Sequence, residues 1–241
     1  MDDIPQYKRI VLKLSGEALK GSNTFGISEE TITSISKQIK SVHDLGIQIA
    51  IVTGGGNFFR GGRGDNLGIG RTSADYMGML ATIINGIALQ DALEKTGLIT
   101  RLISALEIKS IAEPFIRRRI IRHLEKDRVV IFSAGTGSPF FSTDTAAALR
   151  AIEIKADILL KATMVDGVFS HDPIKNNDAV KFKRISYSEV LSKELKVLDS
   201  TAVSLCKEND LNIKIFNINK KNNIYNSVVK KDIGTLISKG G

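Results

Sequence analysis

The chain has 241 residues, 42% of them hydrophobic and 25% charged, enough for one large α/β unit with a sizeable core. A single cysteine, Cys206, excludes an internal disulfide and a cysteine-based zinc site and fits a reducing, cytoplasmic setting. The formal charge of +8 admits nucleic acid, anionic membrane or small polyanions as partners. However, no apolar run approaches the roughly 18 residues of a membrane span. The opening Met-Asp-Asp-Ile-Pro lacks the basic and apolar regions of a signal peptide.

In chain order, Arg9–Leu14 is a β-rich apolar run ending at Ser15-Gly16. Ile32, Ile35, Ile39 and Val42 then recur at helical spacing, with Ser28 as N-cap. Ile47–Val52 reads as a buried strand stopped by Thr53-Gly54-Gly55-Gly56, and a long helix is predicted over Ser73–Lys95. A strand follows near Leu98–Ile103, a helix over Glu113–Lys126, a strand at Val129–Phe132, a helix over Thr143–Ile154 and a strand at Asp157–Lys161. This alternation predicts a three-layer α/β/α sandwich with a largely parallel central sheet. Beyond it, Asp166-Gly167 between apolar residues signals a tight hairpin. Helices near Tyr187–Glu194 and Ser200–Asn209 and strands near Lys214–Phe216 and Thr235–Ile237 complete the chain. With no repeat or linker, one domain is expected, about 7–160 forming its N-terminal part and about 161–241 its C-terminal part.

Ligands of open parallel sheets bind beyond the carboxyl ends of the strands. Three loops there are rich in Gly, Ser and Thr: Lys13-Leu14-Ser15-Gly16, Gly54–Gly61 and Gly135–Thr143. Glycine lets backbone N–H groups approach phosphate, and Lys13 and Arg60 add full positive charge beside these loops. No G-x-x-x-x-G-K-[ST] string is present, so the chain is not a P-loop kinase. Asp75 and Asp144 sit at predicted helix starts, where capping is the plain explanation. Beside phosphate loops, Asp75 also suits ribose hydroxyls and Asp144 suits Lys13. His43, His123 and His171 have no evident catalytic partner. The densest basic cluster, Arg117–Arg122, reads as a solvated helix face, because no aromatic residues are interleaved for base stacking.

Lys13–Leu19, Gly54–Gly61, Asp75–Thr82, Ser133–Phe141 and Lys161–Phe169 together resemble the bacterial-type UMP kinases of the amino-acid-kinase superfamily. The resemblance runs from about Tyr7 to Ile237. It implies phosphoryl transfer from ATP to UMP in pyrimidine nucleotide biosynthesis, with Lys13, Asp144 and Arg60 as catalytic residues and Mg²⁺ arriving with ATP. It implies ATP contacts from Lys13, Leu14, Ser15, Gly16, Gly56, Arg60, Thr163, Phe169 and Asp172. UMP would be held by Gly55, Asp75, Thr136, Gly137, Ser138, Pro139, Phe140, Phe141, Ser142 and Thr143. Gly21, Ser22, Asn23, Thr24, Phe25, Gly26, Arg101 and Arg128 match a region linked to GTP activation. A homohexamer inhibited by UTP is the family's usual form. Met164 stands where the family usually has a polar residue, and the Arg117–Arg122 cluster is denser than usual. Two alternatives stay open at this point: a carboxylate or carbamate kinase of the same superfamily, and a non-catalytic oxyanion- or nucleic-acid-binding protein on the same scaffold.

Overall fold

The structure is a computed structural model, and it describes residues 6–59, 68–173, 176, 178–195 and 197–240. Among these residues a nine-stranded sheet runs in the order β4-β3-β5-β2-β1-β6-β8-β9-β7. Its strands are β1 (Arg9–Leu14), β2 (Gln48–Thr53), β3 (Thr100–Ser104), β4 (Glu113–Pro114), β5 (Val129–Ser133), β6 (Ile158–Thr163), β7 (Arg184–Ser186), β8 (Asn212–Asn217) and β9 (Thr235–Ser238). All neighbours pair in parallel except β8 with β9, so β9 and β7 run against the rest.

The central strands are buried along nearly their whole length, which explains their continuous Ile/Val/Leu runs. Alternate residues serve opposite faces. On one face Ile10, Leu12, Leu14, Ile49, Ile51 and Leu160 pack with α1 (Gly16–Lys20), α2 (Glu29–His43), α3 (Arg71–Glu94) and α8 (Asn223–Val229). On the other, Val11, Val52, Val130, Leu159 and Ile213 pack with α4 (Arg117–Glu125), α5 (Thr143–Glu153), α6 (Tyr187–Ser192) and α7 (Ser200–Glu208). The expected three-layer sandwich is therefore present. No helix among the described residues is long and apolar enough to cross a membrane.

Two expectations need correction. Glu113 does not begin a helix: Glu113–Pro114 forms the edge strand β4, and α4 starts at Arg117. Proline pushes the residue before it toward extended backbone and is tolerated on a sheet edge. Nor does Asp166-Gly167 close a two-residue hairpin. The Asp166 carboxylate instead accepts from Asn217 Nδ2 at 2.9 Å and pairs with Lys220 at 2.6 Å, fastening the turn to the end of β8. The hairpin forms later, with Ser170 N–H on Val180 O and Phe182 N–H on Val168 O, both 2.9 Å. The Arg117–Arg122 cluster behaves as read: Arg117, Arg118, Arg119 and Arg122 are exposed, while Ile120 and Leu124 face the core.

Candidate active site

Lys13 and Lys161 are direct partners in the parallel register of β1 and β6. Each lies two residues beyond a core residue of the α5 face, Val11 and Leu159, so both side chains project to that face near the carboxyl ends of their strands. The N-terminus of α5 meets them there. Ser142 caps it, its hydroxyl accepting from the Asp144 and Thr145 N–H groups. Asp144, the second residue of α5, lies between the two lysines: Oδ1 is 2.8 Å from Lys13 Nζ and Oδ2 is 2.5 Å from Lys161 Nζ.

All three side chains are only 11–15% exposed. Burial raises the Asp144 carboxyl, but the two ammonium groups outweigh it and hold it below the usual carboxylate range. Burial, reinforced by Lys13 and opposed by Asp144, draws Lys161 below the ordinary lysine value. Asp199 also acts on Lys161 through space, so the two ammonium groups face Asp144 directly with a second carboxylate nearby. Lys161 also donates to the Val197 carbonyl. Asp199, the N-cap of α7, accepts from the Ser142 hydroxyl and, at 2.9 Å, from Thr145 Oγ1. The two lysines are thus tied to both α5 and the start of α7.

The glycine loops close around this unit. Gly54 N–H donates to Leu14 O at 2.8 Å. A Cβ on Gly16 would come within 2.6 Å of Gly56 N, and one on Gly55 within 2.6 Å of Gly78 O. Only glycine allows these approaches. Behind the loops, a reciprocal amide pair joins Asn57 and Asn85 at 2.9 and 2.7 Å, and Asn85 also donates to Gly54 O at 2.7 Å. Asn85 is fully buried. Asn85→Ala leaves buried partners unsatisfied and is expected to lower stability by about 2–3 kcal/mol, checked by urea unfolding; unchanged stability contradicts this role.

A cleft of about 330 Å³ opens beside the unit, lined by Gly55, Gly56, Asp75, Thr136, Phe141 and Thr143 among others. Asp75, on the first turns of α3, accepts from Phe140 N–H at 2.8 Å, and Arg71 Nε lies 3.0 Å from both its oxygens. Phe140 is held at φ 71° and is 67% exposed. A side chain rarely adopts that backbone region, so the Asp75 hydrogen bond fixes a strained turn of the loop. Ser142 also lines the cleft, whereas Gly137, Ser138 and Pro139 lie along the same loop outside it. Thr136 Oγ1 braces that loop, donating to Ser138 O at 3.1 Å.

A second cleft, about 450 Å³, is lined by Phe169, His171, Asp172, Lys193 and Val197. Val197 connects it to Lys161, so the two clefts flank the lysine–aspartate unit. Thr163 is not in the lining; its hydroxyl donates to Val165 O at 2.8 Å and staples the end of β6. The Leu14 side chain is in the core and Ser15 caps α1. Arg60 lies outside the described residues.

The residues matched to a GTP region do not converge within one chain. Gly21–Gly26 folds onto the glycine loop, with Asn57 Nδ2 donating to Gly26 O at 2.8 Å and Phe25 edge-on to Phe58. Arg101 is near the opposite end of its strand, beside Glu113 at 3.6 Å, and Arg128 contacts His123 at 3.1 Å. Sequence reasoning gave no role to Lys161, Asp199, Arg71 or the Asn57–Asn85 pair. A lysine ending a buried strand level with Lys13 was the available signal for Lys161. The others become visible only when distant segments meet.

Residues 8–217 match the amino acid kinase family. UMP kinase from Bacillus anthracis is 37% identical, with 98% of this chain and 97% of that chain covered and a TM-score of 0.95. UMP kinase from Ureaplasma parvum is 40% identical, covering 97% and 100%, with a TM-score of 0.93. Uridylate kinase from Archaeoglobus fulgidus is 30% identical, covering 95% and 99%, with a TM-score of 0.75. With its lysine–aspartate unit between two clefts and likeness along nearly its whole length, the chain belongs to the amino acid kinase family and, within it, to the UMP kinases.

Proposed function

We propose that this chain transfers the γ-phosphoryl group of ATP to UMP, giving UDP and ADP in pyrimidine nucleotide biosynthesis. The observation that carries the reading is Asp144 holding Lys13 and Lys161 side by side between the two clefts. UMP occupies the cleft of Asp75 and the Thr136–Thr143 loop, and the adenosine of ATP occupies the cleft of Phe169 and Asp172. A UMP phosphate oxygen attacks the γ-phosphorus in line, the bond to the β-bridging oxygen breaks, and ADP leaves. The nucleophile is already anionic, so the step needs positioning and charge neutralisation rather than a general base. Lys13 and Lys161 neutralise the transferring group, Asp144 aligns both, and Arg60 and the glycine-loop N–H groups take the remaining charge. Mg²⁺ enters as the counter-ion of ATP. Both Asp144 oxygens face lysines, so Asp144 serves the lysines rather than a metal.

ADP release measured in parallel with UMP, CMP, carbamate and glutamate tests the acceptor. Turnover with UMP alone is expected, and turnover with a small acid instead overturns the reading of the Thr136–Thr143 loop. Asp75→Asn is expected to raise the UMP Michaelis constant about tenfold or more, through the lost ribose and loop contacts. An unchanged constant for UMP rules out that role.

We also propose a cytoplasmic homo-oligomer, a hexamer by family likeness, activated by GTP and inhibited by UTP. Tyr76, Leu80, Ile84 and Ile87 form an exposed apolar stripe on α3, each 41–48% exposed, and such stripes mark subunit contacts. Leu80→Glu with Ile84→Glu is expected to reduce the assembly mass in light scattering; an unaltered mass removes this face from the interface. The Gly21–Gly26 loop, bonded to Asn57, gives GTP a route to the phosphate loops. Arg101 and Arg128 would join it only from another subunit.

A further inference from the structure

Lys214, on β8, lies between Ile213 and Ile215 of the α5-face core and so points to the opposite face from Lys13 and Lys161. It is 2% exposed. Its ammonium donates to Ser227 O at 2.8 Å and Lys230 O at 3.0 Å, carbonyls at the C-terminal end of α8. A cation there is favoured by the helix dipole. An ammonium has three N–H donors, and no hydrogen-bond partner for the third is found among the described residues. No carboxylate among them lies within ion-pair distance of it either. Burial lowers the Lys214 amine to about 8, against a weaker opposing pull from Asp232.

Lys214 forms part of the lining of a cleft of about 410 Å³, together with Lys183, Arg184, Lys231, Tyr7 and Leu236. Asp232 is the single carboxylate in that lining. Capping α8 accounts for Lys214 alone. It does not account for Lys183 and Lys231 lining the same cleft as a desolvated ammonium, where like charge and the desolvation of Lys214 both oppose folding. An oxyanion at the third N–H of Lys214 relieves both. The walls supplied by Tyr7 and Leu236 suit an apolar body attached to that oxyanion. We propose that this cleft is a second binding site, separate from the phosphoryl-transfer site, for a small organic phosphate whose phosphate meets Lys214, Lys183, Arg184 and Lys231 and whose apolar part rests on Tyr7 and Leu236.

The test uses the full chain with lysine ¹³C-labelled at Cε and phenyl phosphate as the probe, read by NMR. Each lysine is observed separately, so phosphate entering the Lys13 site is distinguished from phosphate entering this one. The Lys214 resonance is the one lost in Lys214→Arg. If that variant does not fold, Lys214→Gln serves for the same assignment. Phenyl phosphate is expected to shift the Lys214 resonance saturably, and inorganic phosphate to do so more weakly. Lys183→Glu with Lys231→Glu, both at exposed positions, should weaken the response about tenfold or more and leave UMP turnover unchanged. A Lys214 resonance that stays in place while that of Lys13 moves overturns the proposal. So does a non-saturating drift that is equal in the double variant.

Discussion

Lys13→Ala is expected to reduce kcat by about 10²–10³-fold or more while the protein remains folded. The Lys13 ammonium lies 2.8 Å from Asp144 near the carboxyl end of β1, level with Lys161 on β6. In the proposed reaction it meets charge that develops on the transferring phosphoryl group, and a group that acts on that charge lowers kcat when removed. The fold should survive because Lys161 still pairs with Asp144 at 2.5 Å, so no buried carboxylate is abandoned. Steady-state kinetics with both substrates varied, alongside circular dichroism, checks both parts. A folded variant with near-normal kcat removes Lys13 from the chemistry.

Asp144→Asn should be more damaging, because it affects activity and stability together. It keeps the shape of the side chain but leaves Lys13 and Lys161, register partners on adjacent strands, facing each other without the intervening charge. Breaking a buried ion pair by removing one partner costs about 3–5 kcal/mol, and kcat should fall at least as far as in Lys13→Ala. Combining Asp144→Asn with Lys161→Met should recover part of the lost stability without recovering activity. Full additivity of the two stability changes contradicts coupling through Asp144. The pH dependence has a definite sign. The folded Asp144 carboxyl is held below its unfolded value, so its contribution is present at neutral pH and is lost as pH falls through the folded value. The gap in stability between wild type and Asp144→Asn should therefore narrow in acid, below the ordinary aspartate range of about 3.9. A gap that widens there reverses the assignment.

Much of this architecture was legible in the sequence because its strands are buried on both sides. Arg9–Leu14, Ile47–Val52 and Val129–Phe132 are predominantly apolar runs that end at Ser15-Gly16, Thr53-Gly54 and Ser133, and each lies in the observed sheet or directly before it. The short, weakly patterned elements were not legible. α1 spans five residues and β4 two, too few to show a period. α8 has an Asn N-cap in the left-handed region with no side-chain capping bond, so the usual start signal is missing.

The same distinction applies to the site. Lys13, Asp75 and Asp144 stand beside glycine-rich loops, and that composition made them visible. Lys161 did not stand out, because a lysine ending an apolar strand looks like a surface residue until the register sets it beside Lys13. Asp199 reaches Ser142 and Thr145 across more than fifty residues of chain. A separation of that length leaves no local pattern to read. The Asp166-Gly167 turn shows the converse failure. Its composition signalled a tight hairpin, but the Asp166 contacts with Asn217 and Lys220 captured the turn for a tertiary role.

In the proposed reaction the lysine–aspartate unit moves a phosphoryl group onto UMP. ³¹P NMR of the protein with ATP, Mg²⁺ and UMP follows the phosphorus itself. The γ-phosphorus of ATP is expected to reappear as the β-phosphorus of UDP, at a rate reduced about 10²-fold or more in Lys13→Ala. Release of the γ-phosphorus as inorganic phosphate, or an unchanged ATP spectrum with folded protein, contradicts this transfer.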